Sequence, residues 1–415
     1  MLTIDGETCA IHAMRLEKTT QSATERLQLA ARKQLVAVGY ASCSARLIAR
    51  EAQTAASAIN YGFSGIEQLF GVVFDAALTE IAAWRADREA EAALFAQTPD
   101  GAALFLEGLI LEWAAGARDL ALLYQELLAA PASFDQQARD AIKAWVAFFD
   151  RLAAGFKLER EAGAMMHLMF QAEALYALSR WRPLLERAAL GELIGHFGGV
   201  WLGAKPRPRG HALATAESSV RIDENMDASG QAQALMAAAM AVVAEHGLAS
   251  LTHRAVAARC GMTAGAVAHY FRSSDDLVAA AVQGQVAAIK AQASRSSTLK
   301  SPQSLEELAR ILASQEVFEA GDLAGRGRRR IFLATVRDPS RAAAGATVRF
   351  AQGSTVAGEL RRCMGMRAEV SLHASVLSRL ISAAPIVARA HERFGSAGTT
   401  LVRGAMDRFV SEVGR

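Results

Sequence analysis

Apolar side chains recur along most of the chain at intervals of three and four residues, the spacing of one face of an α-helix, and no array of alternating strands is visible. The clearest stretch lies past the midpoint. Leu235, Ala239, Val242 and Val243 share one helical face, and Gly247 stands where a helix ending in a left-handed residue places glycine. Thr252 offers a hydroxyl to cap a short helix from His253 to about Cys260, with Val256 and Ala257 turned inward. Gly261 then supplies a left-handed turn, Met262 fills the angle between helices, and Thr263 caps a third helix, Ala264 to Tyr270. Ser273 and Asp276 stand three apart, the spacing of a capping box that opens a long fourth helix.

The same string of residue types occurs earlier, at a constant offset of 208 (247 − 39). Gly39 pairs with Gly247, Ile48 with Val256, Ala49 with Ala257, Ile59 with Val267, Phe63 with Phe271 and Leu69 with Leu277. Further on, Pro131 pairs with Pro339. Matches spread over some hundred residues without a net insertion indicate duplication of a whole unit. Between the copies, Gly203 to Gly230 break the helical pattern with proline, glycine, serine and charge, which reads as an exposed connection.

Composition agrees with helix. Of 415 residues 52% are apolar, only 8 are proline, and aromatics make up 7%, so the chain is expected to be all-α and long enough for more than one core. The net charge of +3 is nearly neutral for this size, so a nucleic-acid surface has to arise from local placement of arginine. Cys9, Cys43, Cys260 and Cys363 form no CxxC pair, which fits neither a metal site nor a disulfide framework. P-loop, HExxH and GxSxG motifs are missing too, and neither catalysis nor a cofactor is expected. No N-terminal apolar leader and no run of about 18 apolar residues is visible, so a cytoplasmic protein is expected.

The segment GLASLTHRAVAARCGMTAGAVAHYFRSSDDLV resembles the DNA-binding domain of TetR-family regulators, with a glycine, hydroxyl caps and aromatics in the family's places. The segment GYASCSARLIAREAQTAASAINYGFSGIEQLF is similar to the same domain, with Ser44 as cap and Ile48 and Ala49 inward. It departs from the pattern at Gln53, where the family has the turn glycine, and at Ala55, which replaces the hydroxyl cap. Gly62 stands in a place often filled by histidine or tyrosine, and Ile66 and Ser274 replace the lysine that meets a phosphate in family members. The first copy is therefore partly degenerate. The resemblance implies six segments: an extension over 1–22, a helix-turn-helix domain over 23–74, a helical ligand-binding and dimerisation domain over 75–202, a linker over 203–230, a second helix-turn-helix domain over 231–282 and a second helical domain over 283–415.

For DNA contact it points to Thr252, Arg254, Thr263, Ala264, Gly265, His269 and Tyr270 in the second copy. In the first it points to Ser44, Arg46, Ala55, Ser57, Asn60 and Tyr61. Arg50, Arg259 and Arg272 are further candidates for phosphate contact. Trp113, Tyr124, Trp145, Phe149, Met166, His167 and Phe170 gather bulky and flexible side chains that suit either an adaptable effector pocket or a plain helical core. Phe332 and His373 are the second unit's candidates for ligand contact. The implied protein is a repressor released from a double-stranded DNA operator by a small apolar or amphipathic effector, acting as a covalent pseudo-dimer or as a homodimer of the tandem chain. Its two heads have to stand about 34 to 36 Å apart to enter successive major grooves. The alternative is a regulator that reads DNA only through its second unit, the first serving for sensing or dimerisation. Cys43 and Cys260, inside the heads, also raise a redox-sensing role.

Overall fold

The computed structural model describes residues 22–207, 210–220, 230–247, 250–296, 302–365 and 369–413, and among these every regular element is helical. The extension before residue 22 and Cys9 lie outside the described residues. The first unit opens with α1 (Ala23–Val38), where Ser22 and Glu25 form a reciprocal capping box, each backbone N–H donating to the other's side chain at 2.8 and 3.1 Å. Gly39, at φ 77°, ends the helix. Next come α2 (Ala45–Glu51), α3 (Ser57–Phe63) and the long α4 (Ile66–Ala92), which leaves the head and enters the bundle. The bundle continues through α5 (Pro99–Ala115), α6 (Arg118–Ala129), α7 (Asp135–Gly155), α8 (Ala162–Tyr176) and α9 (Pro183–Phe197).

The connection between the copies is not wholly exposed. It contains α10 (Ala212–Ser219), whose Leu213 and Ala216 are buried against α9. Glu192 of α9 accepts the backbone N–H groups of Gly210, Ala212 and Leu213, supplying the acceptors that the first turn of α10 lacks. Pro206, Pro208 and Gly210 just ahead of it obscured this short helix in the sequence pattern.

The second unit has α11 (Gly230–His246), α12 (His253–Cys260), α13 (Ala264–Tyr270) and α14 (Ser274–Ser296), followed by α15 (Leu305–Leu312), α16 (Gln315–Val336), α17 (Ala342–Phe350), α18 (Ser354–Met364), α19 (Val370–Ala388) and α20 (Phe394–Val413). Helices α8 and α19 begin at Ala162 and Val370, again 208 residues apart. The counterpart of the continuous α7 is divided into α17 and α18 at Gly353, which has φ 97° and lies so close to α19 that a Cβ would sit 2.9 Å from Cα of Ser375.

Helices α8 and α19 pack directly on each other, and one continuous apolar core runs through both units. Phe197, Trp201 and Phe409 stack with ring planes 12° apart, and Trp201 Nε1 donates to the Ala405 carbonyl at 2.9 Å. Deeper in, Glu173 of α8 is 0% exposed and pairs with Arg349 (2.8 Å) and Arg379. Arg349 also meets Glu186 of α9 at 3.4 Å, which closes a buried network of two carboxylates and two guanidiniums. Burial opposes ionisation of Glu173, and the two arginines overcome it and hold its pKa below the ordinary carboxylate value. By length and a mean hydropathy of 1.4, α19 is apolar enough to cross a membrane, although Ser371, His373 and Arg379 interrupt its apolar run. It is nevertheless a core helix here, 67% buried, with Arg379 engaged inside the protein.

Candidate nucleic-acid interface

In the second head, the sequence dictates the geometry through local hydrogen bonds. Thr252 Oγ1 accepts from Ala255 N at 3.1 Å and Thr263 Oγ1 from Ala266 N at 3.2 Å, capping α12 and α13, each such cap contributing about 1 kcal/mol. Gly261 turns the chain at φ 66°. Val256, Ala257 and Val267 are buried between the helices, with Met262 partly buried beside them. His253 Nε2 lies 2.5 Å from the Phe271 carbonyl and ties α12 to the end of α13. Ser273 and Asp276 form the expected capping box, at 2.9 and 3.0 Å, and α14 starts there.

This leaves Thr263, Ala264, Gly265, His269 and Tyr270 exposed on or beside α13, with Thr252, Arg254 and Arg272 exposed on the flanking segments. Tyr270 is steadied by its hydroxyl donating to Gln231 Oε1 at 3.3 Å and by an edge contact with His269. Arg259 is engaged with Glu245 at 2.5 Å, so its charge is partly spent inside the head.

The first head repeats the arrangement with losses. Ser44 Oγ caps α2 through Leu47 N at 3.3 Å, and Ser44, Arg46, Arg50, Ala55, Ser57, Asn60 and Tyr61 are exposed. Tyr61, at 98%, projects fully into solvent. Gln53 adopts the left-handed turn at φ 52°, a conformation that costs a non-glycine residue about 1–2 kcal/mol. The reading helix begins at Ser57, and its cap, Ala56, accepts no side-chain hydrogen bond. Ala55, expected in the cap's place, stands one residue before the cap, and its carbonyl accepts from Ala58 N at 3.0 Å.

Both heads are fastened to the bundle by Arg330 of α16 and by Arg337 at its C-cap, neither of which the sequence reading singled out. Arg337 donates to the carbonyls of Val36 (2.8 Å) and Leu35 (3.3 Å) at the end of α1, and to Glu126 at 2.6 Å. Arg330 donates to the carbonyl of Ala244 near the end of α11 and to that of Ala129 at 2.7 Å. The partners of Arg337 lie 301 and 302 residues away, so no local signal exists. The heads also touch: a Cβ on Gly247 would lie 2.8 Å from that of Ala41, beside a cleft of about 1200 Å³ between them. Cys43 lines this cleft, and burial pushes its thiol up to about 12, far from a reactive thiolate. Cys260 Sγ rests 3.7 Å from the Ala234 carbonyl.

In the bundle, Trp113, Tyr124, Trp145, Phe149, Met166, His167 and Phe170 come together, all 0–1% exposed. Their rings fill the space between them, with Trp145 4.7 Å from Phe170 and His167 stacked 5.2 Å from Phe149. Neither ring nitrogen of His167 has a hydrogen-bond partner, and burial pushes its pKa down to about 3, so the ring is neutral. Phe332 and His373 are elsewhere. Phe332 packs edge-on against Tyr176, and His373 Nδ1 lies 2.8 Å from His196 Nε2, lining a cavity of about 510 Å³ together with Glu192, Arg207 and Glu369. The nine candidates for ligand contact therefore do not form one site.

An all-helical chain with two three-helix heads, each mounted on a helical bundle and presenting an exposed reading helix, has the architecture of a DNA-binding transcriptional regulator. Residues 29–73 and 235–281 both match the family described as Bacterial regulatory proteins, tetR family. The chain is a TetR-family protein with two TetR-like units. No curated protein matches it.

Proposed function

We propose that the chain is an effector-released repressor in which the two units serve as the two halves of one covalent pseudo-dimer. Residues 23–74 and 231–282 are its heads, and 75–202 and 283–415 its sensing and pairing bundles. The observation that carries this reading is the pairing of α8 with α19, equivalent helices of the two repeats, across a buried ion network. A second chain is then not needed to bring two heads to one operator. Reading heads with different surfaces, Ser57, Asn60 and Tyr61 against Gly265, His269 and Tyr270, imply half-sites that differ, so an imperfect palindrome is expected. An amphipathic effector in the bundle lowers DNA affinity by favouring a state in which the heads are misplaced.

A second reading is favoured by Gln53 and by the uncapped start of α3: the second head alone reads DNA, and the first bundle senses or pairs. Footprinting on the DNA flanking the chain's own gene, with complex mass from light scattering, tests the proposal. One chain per operator is expected, and an obligatory pair of chains overturns the pseudo-dimer. Tyr61→Ala and His269→Ala, each in the intact protein, separate the two readings. Equal losses of affinity support two reading heads, and a loss confined to His269→Ala supports one.

A further inference from the structure

Where α6 and α8 of the first unit meet α16 and α19 of the second, a cavity of about 40 Å³ is lined by Gln171, Arg328, Arg329 and Arg389, with Leu175 and Ile386 on its apolar side. Arg329 is only 6% exposed, and its described hydrogen bond goes to a neutral acceptor, Oε1 of Gln125. Arg389 and Arg328 act on it with its own sign, and the groups that oppose them among the described residues are the phenols of Tyr124 and Tyr176, which are uncharged at neutral pH. Burial, together with these arginines, lowers its pKa to about 10. The buried carboxylates Glu126 and Glu173 are already held by Arg337 and by Arg349 with Arg379. An interior guanidinium without a counter-charge is costly, and native proteins rarely retain one without a partner.

Hydrogen-bond donors are in surplus at the same place. Nε2 of Gln125 is buried without an acceptor. Gln171, 0% exposed, has Oε1 without a partner while its Nε2 lies 2.5 Å from the Tyr124 hydroxyl. The oxygen and nitrogen of an amide exchange places on a half-turn. In that orientation Tyr124 donates to Gln171 Oε1 and the amide N–H groups are freed for an acceptor in the cavity.

We infer that this cavity binds the carboxylate head of a small organic acid, with Arg329 and Arg328 as its charge partners and the Gln171 amide as a further donor. The volume suits a head group, since one water takes about 10–15 Å³ by the same measure, and the body of the acid then lies along Leu175 and Ile386. The inference rests on the effector-released reading and gives the effector its charge and its place. Helix α16 carries the cavity arginines and Arg330, and Arg337 at its C-cap makes the bonds to the first head. A ligand that draws on Arg328 and Arg329 therefore acts on the same rigid element that fastens α1 and α11.

The test is thermal unfolding of the full chain at constant ionic strength in sodium acetate, hexanoate, benzoate, phosphate or chloride. A saturable rise in Tm of about 2 °C or more with the carboxylates over chloride is expected. Arg329→Met should abolish that rise while its Tm in chloride is equal to or above that of the parent, because an unpaired buried charge has been removed. No carboxylate-specific rise, a rise with phosphate alone, or an undiminished rise in Arg329→Met overturns the inference. If Arg329→Met does not fold, Arg328→Gln is judged by loss or retention of the rise. A chain that binds its operator yet ignores carboxylates defeats only this site, and one that responds to carboxylates but binds no operator defeats only the repressor reading.

Discussion

Replacing His167 by leucine should remove a specific part of the protein's acid sensitivity. The ring is fully buried on Phe149, and burial, with the charge of Arg85 adding to it, lowers its pKa from the ordinary 6.5 to about 3. Below pH 6.5 the unfolded chain takes up a proton at this position and the folded chain does not, so stability falls with pH until about pH 3. Each pH unit inside that window corresponds to about 1.4 kcal/mol, which gives a loss of about 2 kcal/mol between about pH 6.5 and pH 5. Glu173 works in a separate window: its depressed pKa stabilises the fold above the ordinary carboxylate value, and that contribution is lost only at lower pH. Urea unfolding of the parent and of His167→Leu at about pH 7, 6 and 5 isolates the histidine, because every other titration is common to both proteins. The stability difference should shift by about 2 kcal/mol in favour of the variant as pH falls. Parallel pH profiles would show that His167 is protonated or hydrated in the folded state, and the reasoning would fail.

Glu173→Gln leaves Arg349 and Arg379 buried with their main counter-charge gone and should lower stability by about 3–5 kcal/mol in denaturant titration. Gln53→Gly relieves the left-handed turn and should raise stability by about 1 kcal/mol, without changing the packing of Ile48 or Ile59. Arg337→Ala uncaps the carbonyls at the end of α1 and strands Glu126, so amide exchange should quicken in α1 to α3 well before α11 to α13. At neutral pH the Cys43 thiol should resist alkylation in the folded chain, as intact-mass measurement would register.

What could be read from the sequence was what is decided within a few residues. The caps at Ser44, Thr252 and Thr263, the box at Ser273 and the glycine turns at Gly247 and Gly261 all stand where the sequence pattern puts them. Their partners lie three or four residues away, and the hydroxyl or missing side chain is itself the cause of the geometry. The repeat was legible for a related reason, since two copies of one local code can be laid side by side. The fastening of heads to bundle was not legible: Arg337 bonds Val36 and Arg349 bonds Glu173, and a single chain offers no local trace of such pairs. Nor could spacing separate a pocket from a core. The aromatic cluster around Trp145 has helical periodicity, and only three dimensions show its rings already covering one another.

The buried ion network is not symmetric with respect to the repeat. The positions 208 residues on from Glu173 and Glu186 hold Ile381 and Phe394, and those 208 residues before Arg349 and Arg379 hold Ala141 and Gln171. Each unit thus carries one sign of the charge at this contact. Two first units facing each other would bury carboxylates without cations, and two second units would bury guanidiniums without anions, either at a cost of several kcal/mol. The surface accepts only its unlike counterpart. Having once divided the charges, the halves no longer match themselves, and the contact favours the pairing of unlike units.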